Sequence, residues 1–171
     1  MSQKLIFITG SSGFIGSHVV DVSLKSGYRV RLSVRRNSQI AFLKHLFPTF
    51  VDKIEFVIIP DISQLDAFQD CLDGVDYIFH LASPMPGKGQ DIQKDYVEPA
   101  VNGTESILVA ASQLPQVKKV VIMSSVLSII PMGAIQKPGV FISGKAASHI
   151  LPLNKLKKTC VNTPKRAPSP T

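Results

Sequence analysis

Lys4-Leu5-Ile6-Phe7-Ile8-Thr9-Gly10-Ser11-Ser12-Gly13-Phe14-Ile15-Gly16 lies near the start of the 171-residue chain. Leu5 to Ile8 is a short apolar run ended by Thr9-Gly10, which suits a strand buried in a parallel sheet. Beyond it, Ile15, Val19 and Val22 recur at spacings of four and three. That pattern predicts a helix with one buried face, and Gly27 is a natural stop for it. Gly10, Gly13 and Gly16 sit between strand and helix. The first glycine allows a tight turn, the second lets backbone approach a pyrophosphate, and the third lets helix and sheet pack closely. The helix N-terminus then presents N–H groups and a positive dipole end to phosphate.

Working outward, the same alternation repeats. Arg29–Val34 reads as a second strand and Ser38–Phe47 as a second helix. Ile54–Ile59 is a third, near-continuously apolar strand. Ser63 and Asp66 resemble a capping box, predicting a helix with Leu65, Phe68 and Leu72 inward. Tyr77–Ala82 is a fourth strand, and Val117–Ser124 a fifth. Between them Val97, Val101, Thr104, Leu108 and Ala111 mark a long helix. Strand–helix alternation of this pitch predicts an α/β fold, a doubly wound parallel sheet of about five strands with helices on both faces. Ligands on such sheets bind at the carboxyl ends of the strands.

Composition divides the chain. Residues 1–125 hold equal numbers of basic and acidic side chains, so the net charge of +7 arises wholly from residues 126–171, which contain no acid and six of the 12 prolines. Two domains of sequence follow: a folded unit over 1–135, and a basic, proline-containing tail over 136–171, disordered or aberrant. The tail lacks the interleaved aromatics and dense charge of a nucleic-acid arm, so no nucleic-acid partner is expected. Cys71 and Cys160 make no disulfide framework. Val120–Ile135 is cut by Ser124, Ser125, Ser128 and Pro131 and falls short of a membrane span. The expected setting is cytoplasmic, with no membrane association.

The second strand ends Val34-Arg35-Arg36, and no acid lies between Gly27 and Asp52. NAD-specific sites place an acid here for the ribose hydroxyls, whereas a guanidinium fork suits a 2′-phosphate. NADP is therefore expected over NAD. The residues at this point resemble a known family. Thr9–Gly16, Val34-Arg35-Arg36, Pro60-Asp61-Ile62 and Phe79-His80-Leu81-Ala82-Ser83-Pro84 are similar to motifs of the extended short-chain dehydrogenases/reductases, the NAD-dependent epimerase/dehydratase type. Glu98-Pro99-Ala100-Val101-Asn102-Gly103-Thr104 resembles the dihydroflavonol and cinnamoyl-CoA reductases and fungal aldehyde and ketone reductases. The likeness covers roughly residues 4–130.

The resemblance implies a Rossmann-like fold, a dinucleotide cofactor and, in complete relatives, reduction of a small aldehyde or ketone. It implies that Gly10, Ser12, Gly13, Phe14, Ile15 and Gly16 hold the cofactor with Arg35. Asp61 and Ile62 would flank the adenine, the Asp61 carboxylate accepting from its amino group. Leu81, Ala82 and Ser83 would line the nicotinamide ribose, and Gly103 would allow close packing on the sheet. His80 is read as a packed strand residue. Ser125 takes the place of the serine that hydrogen-bonds the substrate carbonyl, with Ser128 as the lesser alternative. No metal site is expected.

One family element is absent. A Tyr with a Lys four residues later should follow Ser125, yet the tyrosines are Tyr28, Tyr77 and Tyr96. Phe141-Ile142-Ser143-Gly144-Lys145 has the spacing without the hydroxyl. The chain is thus expected to be C-terminally truncated and inactive or severely impaired, or else a non-catalytic dinucleotide sensor. A fifth strand without its usual neighbours would expose Val120-Val121-Ile122-Met123, and with them Leu127, Ile129 and Ile130, as an apolar edge open to self-association.

Overall fold

The computed structural model describes residues 3–83 and 91–125. Among these residues five parallel strands form one sheet: β1 (Leu5–Thr9), β2 (Arg29–Val34), β3 (Ile54–Ile58), β4 (Tyr77–His80) and β5 (Lys119–Ile122). Their order is β3-β2-β1-β4-β5. The chain winds from β1 outward to β3, then returns to the other side of β1. The topological switch point, where such sheets bind ligands, therefore lies between Thr9 of β1 and its register partner His80 of β4.

Strand β1 is buried along its whole length. Its alternate side chains feed two cores, as the two-residue strand period requires. Ile6 and Ile8 pack with Val20, Leu24, Val30, Leu32 and Leu43 under α1 (Phe14–Lys25) and α2 (Asn37–Leu46). Leu5 and Phe7 pack with Phe68, Leu72, Ile78, Ile107 and Ala111 under α3 (Glu98–Ser112). At the amino ends of the strands, Asp76 accepts from the Leu5 N–H and from the ammonium groups of Lys4 and Lys118. Arg31 bonds Glu55 and the carbonyls of Cys71 and Asp73. These contacts tie the end of the sheet remote from the switch point.

Three sequence expectations change. Residues 62–72 do not form a helix but a succession of turns. The Ala67, Gln69 and Cys71 amides each reach back three residues, to Gln64, Asp66 and Phe68. Asp61 starts the turns by accepting from the Ser63 amide and hydroxyl and from Gln64, a local bond that competes with helix formation. Phe68 and Leu72 are still inward, but Leu65 is 70% exposed. The buried face of α1 is Gly16, Val20, Ser23 and Leu24, while Ile15 and Val22 face solvent. Likewise α3 buries Gly103, Ser106, Ile107, Ala110 and Ala111, and leaves Val101 exposed, as is Val97 just before it. Small residues share the buried faces with Val20, Leu24 and Ile107, and other large apolar residues lie on the outer side.

Gly103 packs against Ile62 in the loop after β3 rather than on the sheet. A Cβ there would meet the Ile62 side chain at 3.4 Å, ordinary contact, and its backbone is not left-handed. Close approach does not require glycine at this position. Gly103→Ala is therefore expected to raise unfolding stability by about 0.5–1 kcal/mol through helix propensity, measured by urea denaturation. A loss of more than about 1 kcal/mol would show steric conflict.

Candidate dinucleotide site

All five strands run the same way, so the residues following each carboxyl end share one edge of the sheet. The β1–α1 turn occupies its centre. Gly10 has φ of +70°, and a Cβ on it would lie 2.9 Å from the Ala82 amide nitrogen. At Gly16 a Cβ would collide with the Gly10 carbonyl oxygen and stand 2.8 Å from its carbon. Glycine is thus required at both positions by the protein itself. A Cβ at Gly13 would stand 3.3 Å from the Gly10 oxygen, a milder conflict. Gly13 is exposed and is the N-cap of α1. No side chain caps that end, and its first turn holds no acid. The opening amides of α1, at exposed Phe14 and Ile15 and at buried Gly16, precede the first intrahelical bond, in which Ser17 donates to Gly13. They lie at the positive dipole end and suit an anion.

The turn is fastened on both flanks. Toward β2, the Ser11 hydroxyl donates to the Ser33 carbonyl, and the Gln39 amide donates to the Ser12 hydroxyl at 2.6 Å. The other end of the Gln39 side chain accepts from the backbone amides of Arg35 and Arg36. Toward β4, the Thr9 hydroxyl oxygen accepts from the Leu81 and Ala82 amides, both at 3.1 Å, and lies 3.1 Å from Nδ1 of His80. A hydroxyl has two lone pairs and one hydrogen. With both lone pairs taken, that hydrogen goes to Nδ1, which fixes the neutral imidazole with its own hydrogen on Nε2.

The remaining expected residues fall into three places. Arg35, Asp61 and Ile62 come together with Pro60, Ser63 and Pro99 around a cavity of 160 Å³. Hydrogen bonds from the Gln64 side chain and from Ser63 hold the Asp61 carboxyl below the usual carboxylate range, and Arg35 adds a smaller pull. Leu81, Ala82 and Ser83 follow β4 against the Gly10 turn, the first two half-buried. Ser125 is exposed, past the end of β5, where the Met123 amide still donates to the His80 carbonyl. Ser128, Phe141–Lys145, the 136–171 tail and the apolar Leu127, Ile129 and Ile130 lie outside the described residues. Among the described residues no cluster suits a metal ion, and no helix is long and apolar enough to cross a membrane.

Sequence reading assigns no role to Thr9, Ser11 or Gln39, and it leaves His80 without a partner. A signal for Thr9 and His80 is present: a polar residue ends the buried run of β1, and another ends the matching run of β4. Gln39 stands three residues past the helix-capping Arg36, a position from which a glutamine side chain reaches back to free amides.

Residues 6–143 match the model of the NAD dependent epimerase/dehydratase family. The chain belongs to this family. A ketoreductase of Aspergillus fumigatus is 39% identical over 140 residues, a stretch covering 82% of this chain and 41% of that protein. Aldehyde reductase 2 of Sporidiobolus salmonicolor is 31% identical over 84% of this chain and 41% of its own. Yeast methylglyoxal/isovaleraldehyde reductase, solved with NADPH, superimposes with a TM-score of 0.66 at 35% identity, covering 71% of this chain and 37% of that one. The fold is Rossmann-like, as the resemblance implies, built on the parallel sheet that the alternation predicts, and the family is that of the motifs. The chain spans about two-fifths of the length of these relatives.

Burial pushes the His80 imidazole down from 6.5 to about 4, and the residue is 3% exposed. An unfolded chain takes up this proton as pH falls through 6.5, while the folded one does not until about 4. Stability is thus unpenalised above pH 6.5, is lost progressively as pH falls to about 4, and levels off below. Between pH 7 and 4 the wild-type chain is expected to lose up to about 3 kcal/mol more than His80→Asn, measured by urea denaturation. Parallel pH profiles of the two would contradict the assignment.

Proposed function

We propose that this chain is the NADPH-binding portion of a carbonyl reductase. The observation that carries the reading is the uncapped, acid-free N-terminus of α1, set by Gly10 and Gly16 at the switch point beside the Arg35 cavity. The residues fit a dinucleotide. Amides from Phe14 to Gly16, with Ser12, would hold the diphosphate, the bare backbone of Gly13 would let it approach, and Phe14 and Ile15 would lie beside it. The Arg35 guanidinium would take the 2′-phosphate with paired donors, favouring NADP over NAD. Ile62 and Asp61 would flank the adenine. The Asp61 Oδ2 accepts from Gln64, and a carboxylate oxygen has a second lone pair for an adenine amino group. Leu81, Ala82 and Ser83 would line the nicotinamide ribose.

When bound, the cofactor supplies hydride. Ser125 would donate a hydrogen bond to the oxygen of a small aldehyde or ketone. The ketoreductase and aldehyde reductase relatives support that substrate class. The absence of a tyrosine after Ser125 supports binding without efficient turnover, since loss of a positioned acid costs roughly 10²- to 10⁴-fold in rate. A dinucleotide sensor is the second reading, on the same observation. Val121 and Ile122 on β5, an edge strand among the described residues, and Met123 just beyond it are 39–46% exposed, and this edge would pair copies of the chain. Sedimentation velocity tests that point, and a monodisperse monomer would refute it.

Calorimetry tests the cofactor. Wild type is expected to bind NADPH more tightly than NADH, and Arg35→Ala to weaken NADPH by roughly 10- to 100-fold while sparing NADH, the size of a charged hydrogen-bond loss. Equal affinities unaltered by the substitution would remove the arginine argument. Oxidation of NADPH with carbonyl compounds at the rates of complete reductases would overturn the impaired reading.

A further inference from the structure

We propose that His80 is a positioning residue for the nicotinamide half of the dinucleotide, acting through the Thr9 hydroxyl to set the backbone of Leu81 and Ala82. The inference rests on the NADPH reading above and names how one wall of that site is held.

Successive amides of a strand point to opposite sides. Leu81 and Ala82 instead aim both amides at one oxygen, Thr9 Oγ1. The chain must therefore bend sharply as it leaves β4, and a single acceptor holds the bend. That oxygen serves two donors only if its own hydrogen is turned elsewhere. Nδ1 of His80 takes it, at 3.1 Å in the buried interior. The imidazole is fixed in turn by its surroundings: its ring meets the edge of Phe68, centroids 6.2 Å apart, and Phe68 meets Phe7 in the same way. Thr9 and His80 are the last register pair between β1 and β4, so the device sits at the switch point itself.

The bend matters because the Gly10 turn lies directly against it. A carbon on Gly10 would stand 2.9 Å from the Ala82 nitrogen and 3.0 Å from the Leu81 carbonyl carbon. The two backbones leave no slack. If the Thr9 hydroxyl turned its hydrogen toward the amides, one of them would lose its acceptor and segment 81–83 would shift. The adenine end would be spared, because the Arg35, Asp61 and Ile62 cavity is held by different contacts, those of Gln39, Ser63 and Gln64.

The test uses the full 171-residue chain, two ligands and three variants. NADPH spans the whole site, and 2′,5′-ADP carries only its adenine half. His80→Leu keeps an apolar volume without an acceptor. His80→Asn places an amide oxygen near the Nδ1 position. Thr9→Val removes the hydroxyl and keeps the shape. By calorimetry, His80→Leu and Thr9→Val are each expected to weaken NADPH about tenfold, the size of a lost buried hydrogen bond, and to leave 2′,5′-ADP within about twofold. The effects of His80→Leu and Thr9→Val should not add in the double variant, as residues acting through one contact do not. His80→Asn should recover NADPH binding to within about threefold of wild type. Parallel loss of both ligands, an unchanged NADPH affinity, or binding by His80→Asn as weak as by His80→Leu would overturn the role. Should His80→Leu fail to fold, Thr9→Val against wild type decides by the same split. A wild-type chain that binds neither ligand would instead overturn the NADPH reading and this inference with it.

Discussion

The packing of Gly16 onto the Gly10 carbonyl is the constraint from which the site follows. No side chain fits between them: a carbon at Gly16 would stand 2.8 Å from the Gly10 carbonyl carbon and closer still to its oxygen. The strand must therefore turn and enter its helix within one short loop, and the helix must begin over the carboxyl end of β1. This places an uncapped helix N-terminus at the point where the sheet changes direction. Moving the helix outward by one side chain would separate its amides from the edge where Arg35, Asp61 and Leu81 gather.

Around that turn the molecule places polar groups where the rest of the core is apolar. Thr9, Ser11 and His80 are almost wholly buried, and each has a partner. Their bonds run from β1 and its turn to β2 on one side and to β4 on the other. Gln39 continues the chain of contacts to the backbone of Arg35 and Arg36. Unsatisfied groups in these positions would be costly, so the polar seam holds the three strand ends in fixed relation. The opposite end of the sheet is fastened by exposed and half-buried ion pairs at Asp76 and Glu55, which contribute less.

Strand β1 is legible in the sequence because a parallel strand buried on both faces reads as an unbroken apolar run, and the glycine turn because its spacing states its own geometry. The helix faces are not. Counting large apolar residues picks Ile15 and Val22 in α1 and Val101 in α3, all of which face outward. The buried faces combine Val20, Leu24 and Ile107 with small residues, Gly16, Ser23, Gly103 and Ser106, whose hydropathy gives no sign that they are inside. Residues 62–72 mislead because Phe68 and Leu72 carry a helical spacing, while Asp61 diverts the local backbone into turns. The expected site residues gather on one edge of the sheet, since each follows the end of a strand. Their bracing is hidden from the sequence, because Thr9 and His80 stand 71 residues apart and only the register of β1 on β4 brings them together.

The proposed site depends on one contact, backbone amides at the start of α1 gripping a dinucleotide's diphosphate, and its other assignments follow from that grip. Amide chemical-shift mapping of the ¹⁵N-labelled full chain during titration with NADPH tests it most directly. The account predicts that Phe14, Ile15 and Gly16 show the largest shifts, because their N–H groups gain phosphate oxygen, whereas the Gly13 N–H donates to the Gly10 carbonyl. Saturable binding that leaves those three amides unmoved while others shift would contradict it.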